Sequence, residues 1–221
     1  MVRGGKQVKR LTTMLLLGIV LGLAMAPVVA REFEEGINYE KIEPQPPIGK
    51  PGDKIEVLEF FMWLCPHCNR LEPHMQAWLK HKADDIEFVR VPAMFGGPAN
   101  LHVKVFYALQ AMGELDRLHQ AFFDEIHKKR NRLRDQDAVE EFLQAQGVDI
   151  DKFRQAMNSF AVAAHANRAA ALMRRYGIHG VPALVVDGRY KSGKGLDYKD
   201  MPVLVDYLAD RVRRERRKNS E

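Results

Sequence analysis

The sequence predicts an α/β fold interrupted by an all-helical insertion, and three observations carry that prediction. An apolar, β-favouring run from Ile55 to Phe61 leads into a helix-patterned segment and then into a second apolar run, Ile86 to Val91. Late in the chain, Ala183 to Val186, the turn pair Asp187-Gly188 and a last amphipathic stretch read as strand, hairpin and helix. Between these two halves lie roughly 80 residues whose apolar positions recur at helical spacing.

Residues 1–30 stand apart from the fold. Arg3, Lys6, Lys9 and Arg10 form a basic n-region, and Leu11 to Met25 an apolar core of 15 residues. At about 1.5 Å per residue that core reaches roughly 23 Å, short of a ~30 Å hydrocarbon layer, so it reads as a cleaved signal peptide and not an anchor. Val28 and Ala30 supply the small residues of a cleavage site before Arg31; Ala26 is the weaker site because Pro27 would follow the cut. No cysteine follows the apolar core, which argues against a lipid anchor. Export to an oxidising compartment is the expectation.

Four of the 34 basic residues and none of the 29 acidic ones lie in residues 1–30, so the remainder holds 30 against 29, a net charge of +1. The basic pI therefore gives no reason to expect nucleic acid as a partner. The one basic cluster, Arg211, Arg213, Arg214, Arg216, Arg217 and Lys218, ends the last helix and reads as a solvated, frayed tail. Residues 31–54 hold Pro44, Pro46, Pro47, Pro51 and three glycines and read as extended, with room for an edge strand around Tyr39 to Ile42.

The strand Ile55 to Phe61 runs into Met62-Trp63-Leu64-Cys65-Pro66-His67-Cys68, which contains the only two cysteines of the chain. Leu71, Met75, Trp78 and Leu79 then recur at spacings of three and four, so the cysteines fall on the first turn of a helix. There, positions i and i+3 lie about 5 Å apart, within disulfide range. Pro66 suits the first helical position, where its missing N–H costs nothing. A zinc site would need a second pair at motif spacing, and His74 and His81 are poorly placed for one. A c-type haem site would need histidine where Asn69 stands. A two-residue loop constrains the unfolded chain too little for a purely structural disulfide. The pair reads as a redox-active Cys65–Cys68 disulfide, with no metal and no cofactor.

Glu59 is the anomaly of the first strand. In a central strand it would be desolvated, with a raised pKa, and could accept a proton; on an edge it would face water. The second strand is bounded by Pro92. Gly96-Gly97-Pro98 opens the helical stretch, with one face on Leu101, Val105, Leu109 and Met112. A second face follows on Leu115, Leu118, Phe122 and Ile126, and a third on Val139, Phe142 and Leu143. Asp135 is the expected N-cap of the third and Gly147 its stop; Asp149 or Asp151 opens a short helix, and Ala161 to Tyr176 closes at Gly177. After the strand Ala183 to Val186, Asp187-Gly188 predicts a type I′ turn, Arg189 to Lys191 begins the return strand, and Lys199 or Asp200 starts a helix facing inward with Val203, Leu204, Tyr207 and Leu208. Strand-helix-strand followed by strand-hairpin-strand-helix is the thioredoxin order, here interrupted. The insertion is expected to cap the Cys65 face and leave an apolar groove between domains.

Leu58-Glu59-Phe60-Phe61 leading into Cys65-Pro66-His67-Cys68 resembles the DsbA-type periplasmic thiol:disulfide oxidases, and Gly180-Val181-Pro182-Ala183 matches that family's cis-proline loop. The resemblance also covers Met94-Phe95-Gly96-Gly97 and the helical segment after it. It implies a thioredoxin fold in residues 31–97 and 177–221, a helical domain in 98–176, and a soluble periplasmic protein once residues 1–30 are removed. It further implies catalysis by Cys65 and Cys68 with Pro66 and His67 between them. Glu59 would be a buried proton carrier serving Cys68, and Val181 and Pro182 would hold an extended substrate. Some relatives pair the glutamate with a lysine on the neighbouring strand, where this chain has Val89 and Arg90. The implied partners are exported proteins with free cysteines and a DsbB-like membrane quinone oxidoreductase that reoxidises the pair; a monomer is expected.

A helix dipole contributes at most about 2 kcal/mol to a thiolate, little more than one pKa unit. A larger depression at Cys65 needs backbone N–H donors and His67. Stabilising that thiolate stabilises the reduced protein and makes the disulfide a strong oxidant. Three other readings share parts of this pattern. A thioredoxin-like reductase would use the same motif in a reducing compartment. An isomerase would need a dimerisation module for which residues 31–54 are too short. A peptide-binding chaperone would use the groove and not the cysteines.

Overall fold

Turn signals and apolar periodicity set most element boundaries, and a computed structural model describes the result for residues 33–43 and 54–218. The expected signal peptide and half of the leading segment, its four prolines included, lie outside the described residues. The strands are β1 (Tyr39–Lys41), β2 (Ile55–Phe61), β3 (Ile86–Pro92), β4 (Ala183–Val186) and β5 (Tyr190–Ser192). The helices are α1 (Pro66–Leu79), α2 (Pro98–Met112), α3 (Leu115–His127), α4 (Gln136–Ala145), α5 (Ile150–Met157), α6 (Phe160–Arg175) and, after a short 3₁₀ turn, α7 (Met201–Lys218). Five helices therefore run in sequence between β3 and β4.

One sheet holds all five strands in the order β1-β5-β4-β2-β3. β2 pairs parallel with β3 and antiparallel with β4, and every one of its residues is buried. A strand covered on both faces reads as a continuous apolar run, which is the pattern of Ile55 to Phe61. On one face Ile55, Val57, Leu184 and Val186 share a core with Leu71 and Met75 of α1 and Leu204 and Leu208 of α7. On the other, Leu58, Phe60 and Val185 join the apolar faces of α2 to α6.

The caps follow local chemistry. Asp135 accepts from Ala138 N, Asp149 from Lys152 N and Ser159 from Val162 N, each satisfying a helix-start donor. This selects Asp149 over Asp151 and starts α6 at Phe160, one residue before the alanine-rich run. Gly147 and Gly177, at φ 77° and 57°, end α4 and α6 in the left-handed region. Asp187 and Gly188, at φ 53° and 63°, adopt the type I′ turn predicted for them.

Two expectations fail at α7. Val203 is exposed; the inward stripe is Met201, Leu204, Val205, Leu208, Ala209 and Val212, because a helix starting at Met201 carries Val203 out of phase. Of the basic cluster near its end, Arg214, Arg217 and Lys218 are exposed as a solvated tail would be, but Arg211, Arg213 and Arg216 are paired. Arg213 Nη2 lies 2.6 Å from Asp85 Oδ1, Arg216 Nη2 lies 2.6 Å from Asp187 Oδ1, and Arg211 bonds Glu215 and the Tyr39 hydroxyl. Packing α7 along the sheet brings its polar side over the loop before β3 and over the hairpin turn, and sequence spacing does not reveal that proximity.

Gly193, just after β5, donates from N to Asn38 O at 2.7 Å, and a Cβ on it would sit 2.3 Å from Ile37 O. The substitution Gly193→Ala is expected to lower stability by about 1–3 kcal/mol, as overpacking does. Urea midpoints of the two proteins check this, and an unchanged midpoint would refute the close approach.

Candidate active site

β2 ends at Phe61, and after three intervening residues the chain enters α1 with Cys65 as N-cap and Pro66 at the first helical position. The turn is closed by Cys65 N donating to Met62 O at 3.0 Å. Both cysteines are free thiols, so the described state is the dithiol. Cys65 is 7% exposed and Cys68 1%. The order is the one expected, but Cys65 does not face open solvent. The chain around Val181 closes over it, with Cys65 Sγ 3.4 Å from Val181 O. The Val181-Pro182 bond is cis, as the family resemblance implied.

The two thiols are driven in opposite directions. Cys65 is lowered to about 6, first by the hydrogen bond from the Cys68 thiol, against burial, and then by the backbone N–H groups of Cys68 and His67. The charge of His67 comes last among these causes. Cys68 is pushed well up, first by burial, then by serving as the donor to Cys65. A helix start supplies N–H groups without partners of their own, which suits a thiolate at the N-cap.

His67 is exposed, with Nδ1 2.7 Å from the Tyr198 hydroxyl and 3.0 Å from Arg70 Nη2. The Arg70 guanidinium lies over the Tyr198 ring at 5.3 Å. Neither residue was singled out by sequence reasoning. Arg70, at i+3 from His67 on the same helix, was within reach of a spacing argument; Tyr198, from the turn before α7, was not.

Glu59 sits on an interior strand, opposite Arg90 of β3 and Leu184 of β4, and is 1% exposed. The edge-strand alternative therefore fails. Its Oε2 lies 3.2 Å from Arg90 Nε, so the arginine stands where some relatives were expected to have lysine. Arg90 Nη2 also donates to Glu72 Oε1 at 2.9 Å. Burial raises Glu59 above the carboxylate range, against Arg90 and with help from the charge of Glu72. Burial pushes Glu72 up too, but the facing His119 ring and the bonds from Arg90 and Gln76 outweigh it and hold that carboxyl low. Glu72 and His119 lie on faces otherwise apolar, and a buried polar group inside a helical stripe was the available signal.

A cavity of about 640 Å³ is lined by Val181, whose carbonyl meets the Cys65 sulfur, and by His67, Pro182, Tyr198, Lys191 and Lys194. Glu40 and residues 177–201 supply the rest of its lining, and residues 98–176 supply none. This groove lies on the sheet side and is partly charged. The helices close onto the active-site turn. Phe122 stacks on Trp63 with ring centroids 4.1 Å apart, and His127 Nε2 lies 2.7 Å from Trp63 O.

A low-pKa thiol and a high-pKa thiol, three residues apart at a helix start and facing a cis-proline loop, are the working parts of a thiol:disulfide oxidoreductase with a thioredoxin-like fold. Residues 56–209 match the DSBA-like thioredoxin domain family, and the chain belongs to it. A thiol:disulfide interchange protein DsbA of Burkholderia cepacia is 42% identical over 186 residues, 84% of this chain and 87% of that protein. The one of Pseudomonas aeruginosa is 36% identical over 205 residues, 92% and 95% of the two chains. A crystal structure of Pseudomonas aeruginosa DsbA superposes with a TM-score of 0.78 at 35% identity, over 84% of this chain and 97% of that one.

Iodoacetamide at about pH 6 is expected to label only Cys65 of the reduced protein, since an ordinary thiol near ~8.5 is almost fully protonated there. Thiolate absorbance should place the Cys65 midpoint at about 6. Cys68→Ala should raise that midpoint more than His67→Ser does. Equal labelling of both cysteines, or the reverse order of the two variants, would overturn the assignment of causes.

Proposed function

We propose that this protein is a periplasmic dithiol oxidase that donates a Cys65–Cys68 disulfide to exported proteins through a mixed disulfide at Cys65. The observation that carries the reading is the placement of Cys65 at the start of α1, 3.4 Å from the carbonyl before the cis-proline, with Cys68 buried behind it; the opposed shifts of the two thiols agree with it. A substrate thiolate attacks Cys65 Sγ, the Cys65–Cys68 bond breaks, and Cys68 leaves and takes up a proton. A second substrate thiolate attacks the substrate's own sulfur, and Cys65 leaves as the thiolate. The substrate is oxidised by two electrons and the protein is left as the dithiol. The low pKa of Cys65 makes it the better leaving group in the second step, and thiolate stabilisation favours the reduced product.

Glu59, buried under α1, acts as the proton carrier for Cys68, whose own pKa its charge raises. The carbonyl of Val181, beside the Cys65 sulfur, and the groove past Pro182 receive an extended segment of substrate. A membrane quinone oxidoreductase of the DsbB kind regenerates the disulfide. The division into residues 31–97 with 177–221 and an inserted 98–176 assigns exchange to the first part and coverage of the Trp63 turn to the second. No helix among the described residues is long and apolar enough to cross a membrane; removal of residues 1–30 would release a monomer into the periplasm.

Mixed disulfides test the order of attack. Cys68→Ser, expressed with its signal in a bacterial periplasm, should accumulate reducible complexes with exported proteins, and Cys65→Ser should accumulate none; complexes in both, or in neither, would sink the mechanism.

Stability supplies a second test. Cys65 is depressed in the folded dithiol, so its contribution is present above its ordinary value near 9 and is lost as pH falls through about 6. Between about pH 6 and 9 the reduced form should gain stability over the oxidised form as pH rises, read from denaturant midpoints. An oxidised form that is the more stable throughout would exclude a strong oxidant.

A further inference from the structure

His119 of α3 is 2% exposed, and the exchange steps above make no use of it. Its orientation is nonetheless specified. The Trp63 indole N–H can only donate, so its 3.3 Å contact makes His119 Nδ1 the acceptor and leaves the ring proton on Nε2. Among the described residues no completed hydrogen bond meets Nε2; the ion partner it faces is Glu72 Oε2, at 3.4 Å. The other Glu72 oxygen takes Arg90 Nη2 at 2.9 Å and Gln76 Nε2 at 2.7 Å. Arg90 Nε in turn faces Glu59 Oε2 at 3.2 Å. The chain of contacts thus runs from Trp63, two residues before Cys65, through His119, Glu72 and Arg90 to Glu59.

Glu59 and Glu72 share one guanidinium, and each is 1% exposed. With both ionised, the pair leaves one negative charge uncompensated in a low-dielectric site, so a proton is retained on one of the two. We propose that His119 is a positioning residue that decides which one: its Nε2–H, turned toward Glu72 by Trp63, keeps Glu72 ionised and leaves the proton to Glu59, beside Cys68. The inference rests on the reading of Glu59 as proton carrier.

The surrounding charges agree with this role. Glu59 is faced by Arg90 from β3 and by Glu72 and Cys68 from α1. His119 is faced by Glu72 from α1, Arg90 from β3 and Asp116 from its own helix. Burial holds the imidazole neutral, the charge of Arg90 acts in the same sense, and Nδ1 is already occupied by the indole. His119 therefore acts as an oriented N–H and not as a proton store. Environments that drive two neighbouring carboxyls apart assign their roles, one as anion and one as acid.

The experiment follows the attack of Cys68 on a mixed disulfide between Cys65 and thionitrobenzoate, read as release of the chromophore across pH. Glu59 as carboxylate takes the Cys68 proton, so release should accelerate with pH through the Glu59 titration, and Glu59→Gln should abolish that inflection. His119→Leu removes the donor from Glu72, which then takes a larger share of the proton; Glu59 ionises earlier and the inflection should move to lower pH by roughly one unit. His119→Gln, which restores an N–H, should return it toward the parent value. Should His119→Leu not fold, Trp63→Phe serves instead, because freeing Nδ1 lets the ring proton leave Nε2, and the shift should have the same sign. An inflection lost in Glu59→Gln but unmoved in His119→Leu, or moved equally by Leu and Gln, overturns the role of His119. An inflection that survives Glu59→Gln overturns the Glu59 reading itself.

Discussion

The active site depends on β2 being buried on both faces. A strand in that position satisfies its backbone through β3 on one side and β4 on the other, and it cannot slide without turning its side chains to the opposite face. Its end therefore has a defined place, and the turn after it delivers Cys65 to the start of α1. The same burial acts on Glu59 in the opposite sense. A carboxyl two residues from the end of an apolar strand is stripped of water, and its preferred charge state changes with it.

Three separate parts of the chain converge on this strand end. The hairpin half brings Val181 to the Cys65 sulfur across 116 residues of sequence. β3 brings Arg90 into register with Glu59. Helix α3 clasps Trp63 through Phe122, His119 and His127. Each contact is modest alone, since a net hydrogen bond contributes about 1 kcal/mol. Together they hold a thiol, its resolving partner and a buried acid in a common frame, and the oxidant character follows from that frame and not from the cysteines as such.

The asymmetry of the thiols also ranks its causes. The dipole argument accounts for little more than one unit, and the structure puts the Cys68 S–H bond and two backbone donors ahead of the His67 charge. His67 shares its Nδ1 with Tyr198 and Arg70 and forms part of the groove rim. Its place between the cysteines positions an N–H at the sulfur as much as a ring.

Much of this protein was determined by local chemistry and so was legible in one dimension. Helix stripes, N-caps at Asp135 and Asp149, the Asp187-Gly188 turn and the Cys65–Cys68 spacing are set by residues within a few positions of one another. The family motifs add Glu59, Val181 and Pro182 as short strings of the same kind. Only the tertiary structure decided that Glu59 lies on an interior strand, that it shares Arg90 with Glu72, and that a groove runs along residues 177–201. It also decided that Arg213 and Arg216 are paired and that His119 meets Trp63. The reason is physical. The energy of a buried charge depends on which groups surround it in space, and those neighbours come from strands and helices whose separation along the chain carries no record of their contact.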